Sequence, residues 1–144
     1  MLPIIRITVG DLVFKARLEQ ASAPATCAAF LEVLPYHQKI IQARWSGEAA
    51  WIPLGDFKFG VGYENATSHP SRGDILLYPG GLSETEILFP YGNCSFASKV
   101  GQLAGNHFLT VIEGQDRLAE LGQLVLWRGA QDIIFEAVYG ENLS

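Results

Sequence analysis

The hydrophobic positions of this chain follow mainly the two-residue period of β-strands. Residues 4–9 and 12–18 alternate apolar and polar side chains and are joined at Gly10-Asp11, which predicts an opening β-hairpin. Further runs rich in β-branched and aromatic residues predict strands at residues 39–45, 49–52, 74–78, 85–89, 108–113, 124–127 and 132–138. Strands therefore dominate the predicted secondary structure.

One segment has the period of a helix instead. Its apolar side chains recur at the i, i+3, i+4, i+7 spacing of a single helix face, at Cys27, Phe30, Leu31 and Leu34. Ser22 can cap the helix and Pro24 suits its first turn, while Pro35 ends it. The pattern predicts a helix over residues 24–34 and a short helical turn over residues 116–121.

Short strands separated by turns, without alternation of strands and helices, are typical of an antiparallel barrel. Closing the barrel also removes exposed strand edges, which a chain this apolar cannot safely leave open. We therefore expect a mainly β protein, a closed antiparallel β-barrel with one main helix capping an end and a short second helix. Residues 1–144 form a single domain in this interpretation, as suits their number.

Composition adds an expectation about assembly and partners. Hydrophobic residues make up 49% of the chain and charged residues only 17%, against about 25% charged in an average domain. So few charges cover a monomer poorly, which favours a homo-oligomer, with a dimer as the expected form. The net charge of −5 and the scattered basic residues argue against nucleic acid and anionic membranes as partners.

The compartment is predicted from features that the sequence lacks. The first residues, MLPIIRITVG, enter a strand directly and show no signal-peptide pattern. The longest apolar runs fall far short of the roughly 18 residues that a membrane helix needs. Cys27 and Cys94 are expected to be free thiols, because Cys27 lies on the apolar face of the predicted helix. These features predict a cytoplasmic protein.

Known catalytic motifs are missing from the sequence. There is no Cys-x-x-Cys, His-Glu-x-x-His, Gly-x-Ser-x-Gly or P-loop, and the three histidines are not clustered. We therefore expect neither a metal nor a cofactor.

Residues 40–56 contain the most informative polar residues. Arg44 falls within what is predicted as a buried apolar strand, where an unpaired ion costs several kcal/mol. Arg44 and Glu48 bracket the turn of residues 45–47, so a hairpin can bring them together. Arg44 thus marks either a structural ion pair or the floor of a binding pocket, and both interpretations stay open.

Five more side chains are candidates for the same site, each with a structural alternative. Glu84 and Glu86 share one strand face by the two-residue period, so they either repel each other in solvent or hold something between them. Trp51 is a core residue or an aromatic wall. Tyr78 opens the turn Tyr-Pro-Gly-Gly, whose backbone amides can cradle an anion. His107 opens a strand on the face of Leu109 and Val111 and is a hydrogen-bonded core residue or a ligand contact.

The order of these elements resembles that of a known fold. A hairpin, a helix that begins at Pro24, a strand that carries Arg44 and a late strand that ends in Glu113-Gly114 are similar to the cyclophilin-like fold over nearly the whole chain. The segments ARWSGEAAWIPLGD, YPGGLSETEILFPYG and GQLAGNHF resemble an uncharacterised bacterial branch of that fold, a domain of unknown function.

The resemblance also implies an activity, the cis-trans isomerisation of prolyl peptide bonds. In the parent family an Arg at the place of Arg44, flanked by Phe-His, polarises the amide of a proline and stabilises its twisted state. Here Gln42-Ala43 replaces the Phe-His pair.

Three functions remain open from the sequence. The first is binding of a small carboxylate- or amide-bearing ligand in a pocket with few polar groups, formed by Arg44, Glu48, Trp51, Tyr78, Glu84, Glu86 and His107. The second is a structural or subunit-interaction module, and the third is peptidyl-prolyl isomerisation. The position of Arg44 discriminates among them: an open cleft favours the first, a subunit contact the second, and a groove beside a proline-sized pocket the third.

Overall fold

The computed structural model of the chain describes residues 1–140. The elements of the barrel and its additions are β1 (Ile4–Val9), β2 (Leu12–Leu18), α1 (Pro24–Glu32), β3 (Tyr36–Gln42), β4 (Gly47–Pro53), β5 (Ala66–Thr67), β6 (Asp74–Tyr78), β7 (Glu86–Cys94), β8 (Ala97–Ser98), β9 (Gly101–Gln102), β10 (Gly105–Glu113), α2 (Leu118–Arg128) and β11 (Gln131–Val138). A single 3₁₀ turn, Gln115–Arg117, leads into α2.

The long strands close into a barrel. They are hydrogen-bonded in the order β2-β1-β11-β3-β4-β7-β6-β10, and β10 pairs back onto β2. The pairing of neighbours is antiparallel throughout. The two-residue strand β5 adds to β10, and β8 and β9 form a separate hairpin. The predicted closed antiparallel barrel is therefore confirmed.

Every second side chain of a barrel strand points inward, and these apolar side chains fill the barrel interior. In β1, Ile5, Ile7 and Val9 are fully buried, and Ile7 lies opposite the buried Phe14 of β2. Intervening positions such as Arg6 stay partly exposed, as expected when one face of a strand packs on a core. The predicted bounds of β1, β2 and β6 agree with the structure.

The two helices cover opposite ends of the barrel. Helix α1 follows the end of β2 and inserts Phe30 edge-on against Phe108 and Phe135, at ring-centroid distances of 5.0 and 5.2 Å. Helix α2 lies near the other end of β2, where a Cβ on Gly10 in the β1–β2 turn would come within 3.8 Å of Leu124. The interior is thus closed at both ends by apolar side chains.

The predicted strand at residues 124–127 is wrong, because these residues belong to α2. The short predicted turn is in fact the start of an eleven-residue helix, longer than the nine residues of α1. Leu118, Leu121 and Val125 are buried at helical spacing. A short apolar run cannot be assigned to a strand or a helix by periodicity alone, and here its packing on the barrel decides.

The start of α1 is held by a contact that the sequence did not suggest. Ala23, not Ser22, is the N-cap residue, and no side chain caps it. Instead Glu64, from the long loop between β4 and β6, accepts hydrogen bonds from the Thr26 backbone N–H (2.7 Å) and hydroxyl (2.9 Å). The fully buried Asn106 donates to Thr26 Oγ1 and accepts from the backbone N–H of Glu64. Loop, helix and β10 are therefore tied together at this end.

Within residues 1–140, no helix is both long enough and apolar enough to cross a membrane.

Candidate functional site

A cavity of about 230 Å³ lies on the outside of the barrel wall, among the β3–β4 turn, β4, the segment that enters β7 and the β8–β9 hairpin. Strand β4 shows why it is outside: Ala50 and Ile52 belong to the interior core, whereas Ala49 and Trp51 pack with a second cluster. That second cluster includes Phe96 and is separate from the interior core. The polar side chains of the cavity therefore lie on the outer face of the barrel and not in its interior.

Four of the seven predicted site residues line this cavity: Arg44, Trp51, Glu84 and Glu86. They come from three separate parts of the chain, and the pairing of β4 with β7 brings these parts together. Trp51 lies opposite Leu88, and Pro53 lies opposite Glu86. The structure thus assembles more than half of the predicted set in one place.

Glu86 is the most unusual of the four. It begins β7 with its side chain on the outer face, because the next residue, Ile87, packs in the interior core. Only 5% of Glu86 is exposed, yet among residues 1–140 its carboxyl has neither a hydrogen-bond partner nor a salt bridge. Burial, with a smaller contribution from the neighbouring Glu84, raises its pKa to about 8. At neutral pH Glu86 is therefore mainly a neutral carboxylic acid.

Glu84 lies beside it but outside the strand, which begins only at Glu86. It is exposed, and its Oε2 accepts a hydrogen bond from the backbone N–H of Gly55 at 3.1 Å. The cavity therefore combines one exposed and one buried carboxyl group.

Arg44 is not in a buried strand, so that expectation is wrong. Strand β3 ends at Gln42, and Arg44 is exposed in the bend that follows. In the turn that follows, the Gln42 side-chain amide donates to the carbonyls of Ala43 and Gly47, at 3.1 Å each. Arg44 reaches the cavity from its rim.

Nor does Arg44 pair with Glu48. Among residues 1–140 Arg44 forms no salt bridge, while Glu48 Oε1 accepts from the backbone N–H of Asn93 at 2.9 Å. Glu48 points toward Gly92, where its carboxylate occupies the space that a Cβ would fill. Glu48 is therefore absent from the cavity wall, contrary to its place in the predicted site, and it links β4 to β7 instead of forming the ion pair that was the other open interpretation.

Sequence reasoning missed several wall residues. Lys99 and Ser98 come from the β8–β9 hairpin, and Trp45, Ser46 and Ser83 from turns. Hairpin strands of two residues leave too little alternation to detect, so nothing in the sequence pointed to Lys99. Trp45 and Ser46 lay within the segment already singled out, next to Arg44.

Ser46 fastens the hairpin to the barrel. Its Oγ donates to the carbonyl of Ala97 (3.1 Å) and accepts from the backbone N–H of Ala97 (3.0 Å). The Ser46 carbonyl accepts from the backbone N–H of Ser95. One serine thus links the wall bearing Arg44 to the wall bearing Lys99.

Replacing Ser46 with Ala should loosen this hairpin. The variant loses both hydroxyl bonds, so the Ala97 amide should exchange its hydrogen faster, while global stability falls by only about 1–2 kcal/mol. Hydrogen-exchange NMR measures both effects. Ser83→Ala is the matched control, because Ser83 lines the same cavity and its hydroxyl makes no hydrogen bond within residues 1–140. Unchanged exchange at Ala97 in Ser46→Ala would contradict the assignment.

Tyr78 supports the wall without lining the cavity. It is 1% exposed, and its hydroxyl accepts from the backbone N–H groups of Leu82 (3.0 Å) and Ser83 (3.3 Å). Its ring packs edge-on against Phe96. Two amides of the segment after this tyrosine are therefore occupied by the Tyr78 hydroxyl and do not face an anion.

His107 lies elsewhere on the barrel. A β-bulge between His107 and Leu109 changes the alternation, so His107 does not share the face of Leu109 and Val111, contrary to the prediction. Its Nε2 lies 2.7 Å from Thr110 Oγ1 and 3.6 Å from Asp74 Oδ1. His107 thus belongs to a polar network on β6 and β10.

Neither cysteine suits nucleophilic chemistry. Cys27 and Cys94 are free thiols, and burial raises the pKa of each to about 11, which keeps them protonated near neutral pH. Across residues 1–140, His, Cys, Asp and Glu side chains form no group of three that could hold a metal ion.

Comparisons with known proteins identify a family and a fold. The family described as "Protein of unknown function (DUF3830)" matches residues 5–137, so the chain belongs to this family. No curated protein sequence matches it significantly.

Two solved structures are similar to the chain. A structure described as McbB in complex with tryptophan aligns with a TM-score of 0.71 and 18% identity over 97% of this chain, which spans 46% of that protein. The solution structure of the hypothetical protein AF2241 from Archaeoglobus fulgidus aligns with a TM-score of 0.59 and 19% identity over 94% of each chain. At these identities the likeness concerns the fold alone.

Proposed function

We propose that this member of the DUF3830 family binds a small molecule in the cavity lined by Arg44, Trp51, Glu84 and Glu86, and that the ligand carries a carboxylate or an amide. The observation that carries the proposal is the Glu86 carboxyl group, which lines the cavity at only 5% exposure and has no partner among residues 1–140. Its oxygens still reach the cavity, because within residues 1–140 the Thr85 hydroxyl is the only fully buried side-chain N or O atom without a hydrogen bond. A ligand group beside Glu86 can therefore supply the hydrogen-bond partner that these residues do not.

Arg44 supports the choice of ligand. Its guanidinium reaches the cavity without an anionic partner among residues 1–140, and its fork of N–H donors matches the two oxygens of a carboxylate or the carbonyl of an amide. Trp51 and Trp45 add flat apolar walls. The cavity volume of about 230 Å³ is below the ~300–1,000 Å³ of typical ligand pockets, which favours a small metabolite.

The other two functions receive less support. A structural module would use Arg44 in an ion pair, but among residues 1–140 Arg44 forms no salt bridge and lines an open cavity. Prolyl isomerisation and membership of the cyclophilin-like superfamily remain finer proposals that rest on the sequence resemblance. The closed barrel with a helix at each end is compatible with that superfamily.

The expected homo-oligomer and cytoplasmic location stay predictions. The outer side of α2 exposes Leu126 and Trp127, and Trp45 is exposed at the cavity rim. Such side chains suit contact with a second copy of the chain.

Arg44→Lys should weaken ligand binding about tenfold although the charge is kept, because one ammonium cannot reproduce a two-pronged contact. Thermal-shift screening of small carboxylates and amides, including tryptophan as the compound named with McbB, followed by calorimetry on the hits, measures this. Arg128→Lys, an exposed site at the end of α2, is the matched control. The proposal fails if no compound stabilises the native protein, or if binding survives unchanged in Arg44→Lys.

A further inference from the structure

The cavity is lined by charged groups of both signs that do not neutralise one another. Arg44 and Lys99 provide two cations, and Glu84 and Glu86 provide two carboxyl groups. Within residues 1–140 none of these four takes part in a salt bridge. Opposite charges that share one small cavity without pairing are available to a ligand.

The four groups come from separate parts of the chain. The cations come from the β3–β4 turn and the β8–β9 hairpin, and the carboxyl groups come from the entry to β7. Exposed ion pairs form where side chains can reach each other, as in Lys39–Asp132 at 2.6 Å and Arg17–Glu19 at 2.8 Å, although each is worth little. The cations and carboxyl groups of the cavity do not meet in this way within residues 1–140, so a ligand that spans the cavity can contact both.

We infer that the ligand is a zwitterion of the amino-acid class, whose carboxylate binds Arg44 and Lys99 and whose ammonium binds Glu84 and Glu86. This inference rests on the proposed function and adds the second charged group. An ammonium has three donors, enough to reach both carboxyl groups together. The opposite orientation is unfavourable, because a ligand carboxylate beside Glu84 would meet a like charge.

The aromatic walls fit the middle of such a ligand. Trp51 packs against the outer cluster and Trp45 is exposed at the rim, so an apolar side chain of the amino acid has a flat surface to cover. A cation that approaches the face of a tryptophan is also attracted by its ring.

Binding should be coupled to proton release. Glu86 is mainly protonated at neutral pH in the free protein because it is buried and close to Glu84. An ammonium beside it favours the ionised form, so the proton of Glu86 leaves as the ligand binds. The ligand carboxylate binds Arg44 and Lys99 at the same time.

The test uses matched triplets: phenylalanine, 3-phenylpropanoate and 2-phenylethylamine, and likewise leucine, 4-methylpentanoate and isopentylamine. Calorimetry at pH 7 in two buffers of different ionisation enthalpy measures both affinity and the protons released. We expect at least one of the two amino acids to bind tenfold or more tighter than both of its truncated analogues, with a fraction of a proton released. In Glu86→Gln the release and most of the preference over the carboxylate should disappear, whereas Glu32→Gln, an exposed site on α1, should behave as the native protein does.

The outcomes separate the two proposals. If the carboxylates bind as well as the amino acids and lose affinity in Arg44→Lys, the proposed function stands and the zwitterion inference is overturned. Equal proton release in native protein and Glu86→Gln also overturns it. If no member of either triplet binds, the zwitterion inference falls, and the wider screen of carboxylates and amides decides the proposed function.

Discussion

The native protein should become less stable as pH rises from about 4.5 to about 8. Glu86→Gln should remove a large part of this decrease in stability. The Glu86 pKa is raised from 4.5 in the reference state to about 8 in the folded chain. Between these values the unfolded chain releases the proton and the folded chain keeps it, so folding becomes less favourable as pH rises. At about 1.4 kcal/mol for each pH unit, the full effect is on the order of 5 kcal/mol.

Urea unfolding at pH 5 and pH 8.5 measures this. At pH 5 the native protein and Glu86→Gln should have similar stability, because both place a neutral polar side chain in the cavity wall. At pH 8.5 the variant should be the more stable. Glu84→Gln is the control: it removes only the smaller cause of the shift, so most of the pH dependence should remain. Parallel pH profiles for native protein and Glu86→Gln would show that Glu86 ionises normally.

Phe30→Ala should destabilise the fold by about 3–5 kcal/mol, the range for truncation of a buried phenylalanine. The Phe30 ring is fully buried where α1 covers one end of the barrel. It makes edge-on contacts with three aromatic rings, those of Tyr36, Phe108 and Phe135. Its removal leaves a cavity that these neighbours cannot fill without moving the barrel strands.

Chemical denaturation of Phe30→Ala measures the loss. Leu31→Ala on the same helix is the matched control, because Leu31 is only partly buried and should cost less. Ligand binding should persist in folded Phe30→Ala, since the candidate cavity lies on the outer wall and not at this end. A loss below about 1 kcal/mol would mean that α1 does not seal the core.

The sequence determined the elements whose contacts are local. The bounds of β1, β2 and β6 follow from alternation, and α1, which begins at Pro24, follows from the helical repeat that starts at Cys27. Such patterns record which face of a segment is buried, and this requires no knowledge of the distant partner. The closed barrel followed from the same patterns, since many short strands with little charge need their edges paired.

Elements that depend on contacts between distant parts of the chain could not be predicted from these local patterns. The full length of α2 depends on its packing against the barrel, where Gly122 allows the close approach of Tyr91. The β8–β9 hairpin is held by Ser46, about fifty residues earlier in the chain. The bulge at His107 reverses the face of a strand without any signal in the residue types.

For the candidate site, the sequence supplied the residue types and tertiary structure decided their use. Arg44, Trp51, Glu84 and Glu86 stood out as polar or aromatic residues on apolar elements, and the pairing of β4 with β7 brought them to one cavity. Glu48, Tyr78 and His107 stood out equally but are engaged elsewhere by Asn93, by the turn after Tyr78 and by Thr110. Lys99 joined the cavity only through the hairpin. A residue's chemistry is fixed by its side chain, but its burial and its partners, which set its charge and availability, depend on strands that meet only in the folded protein.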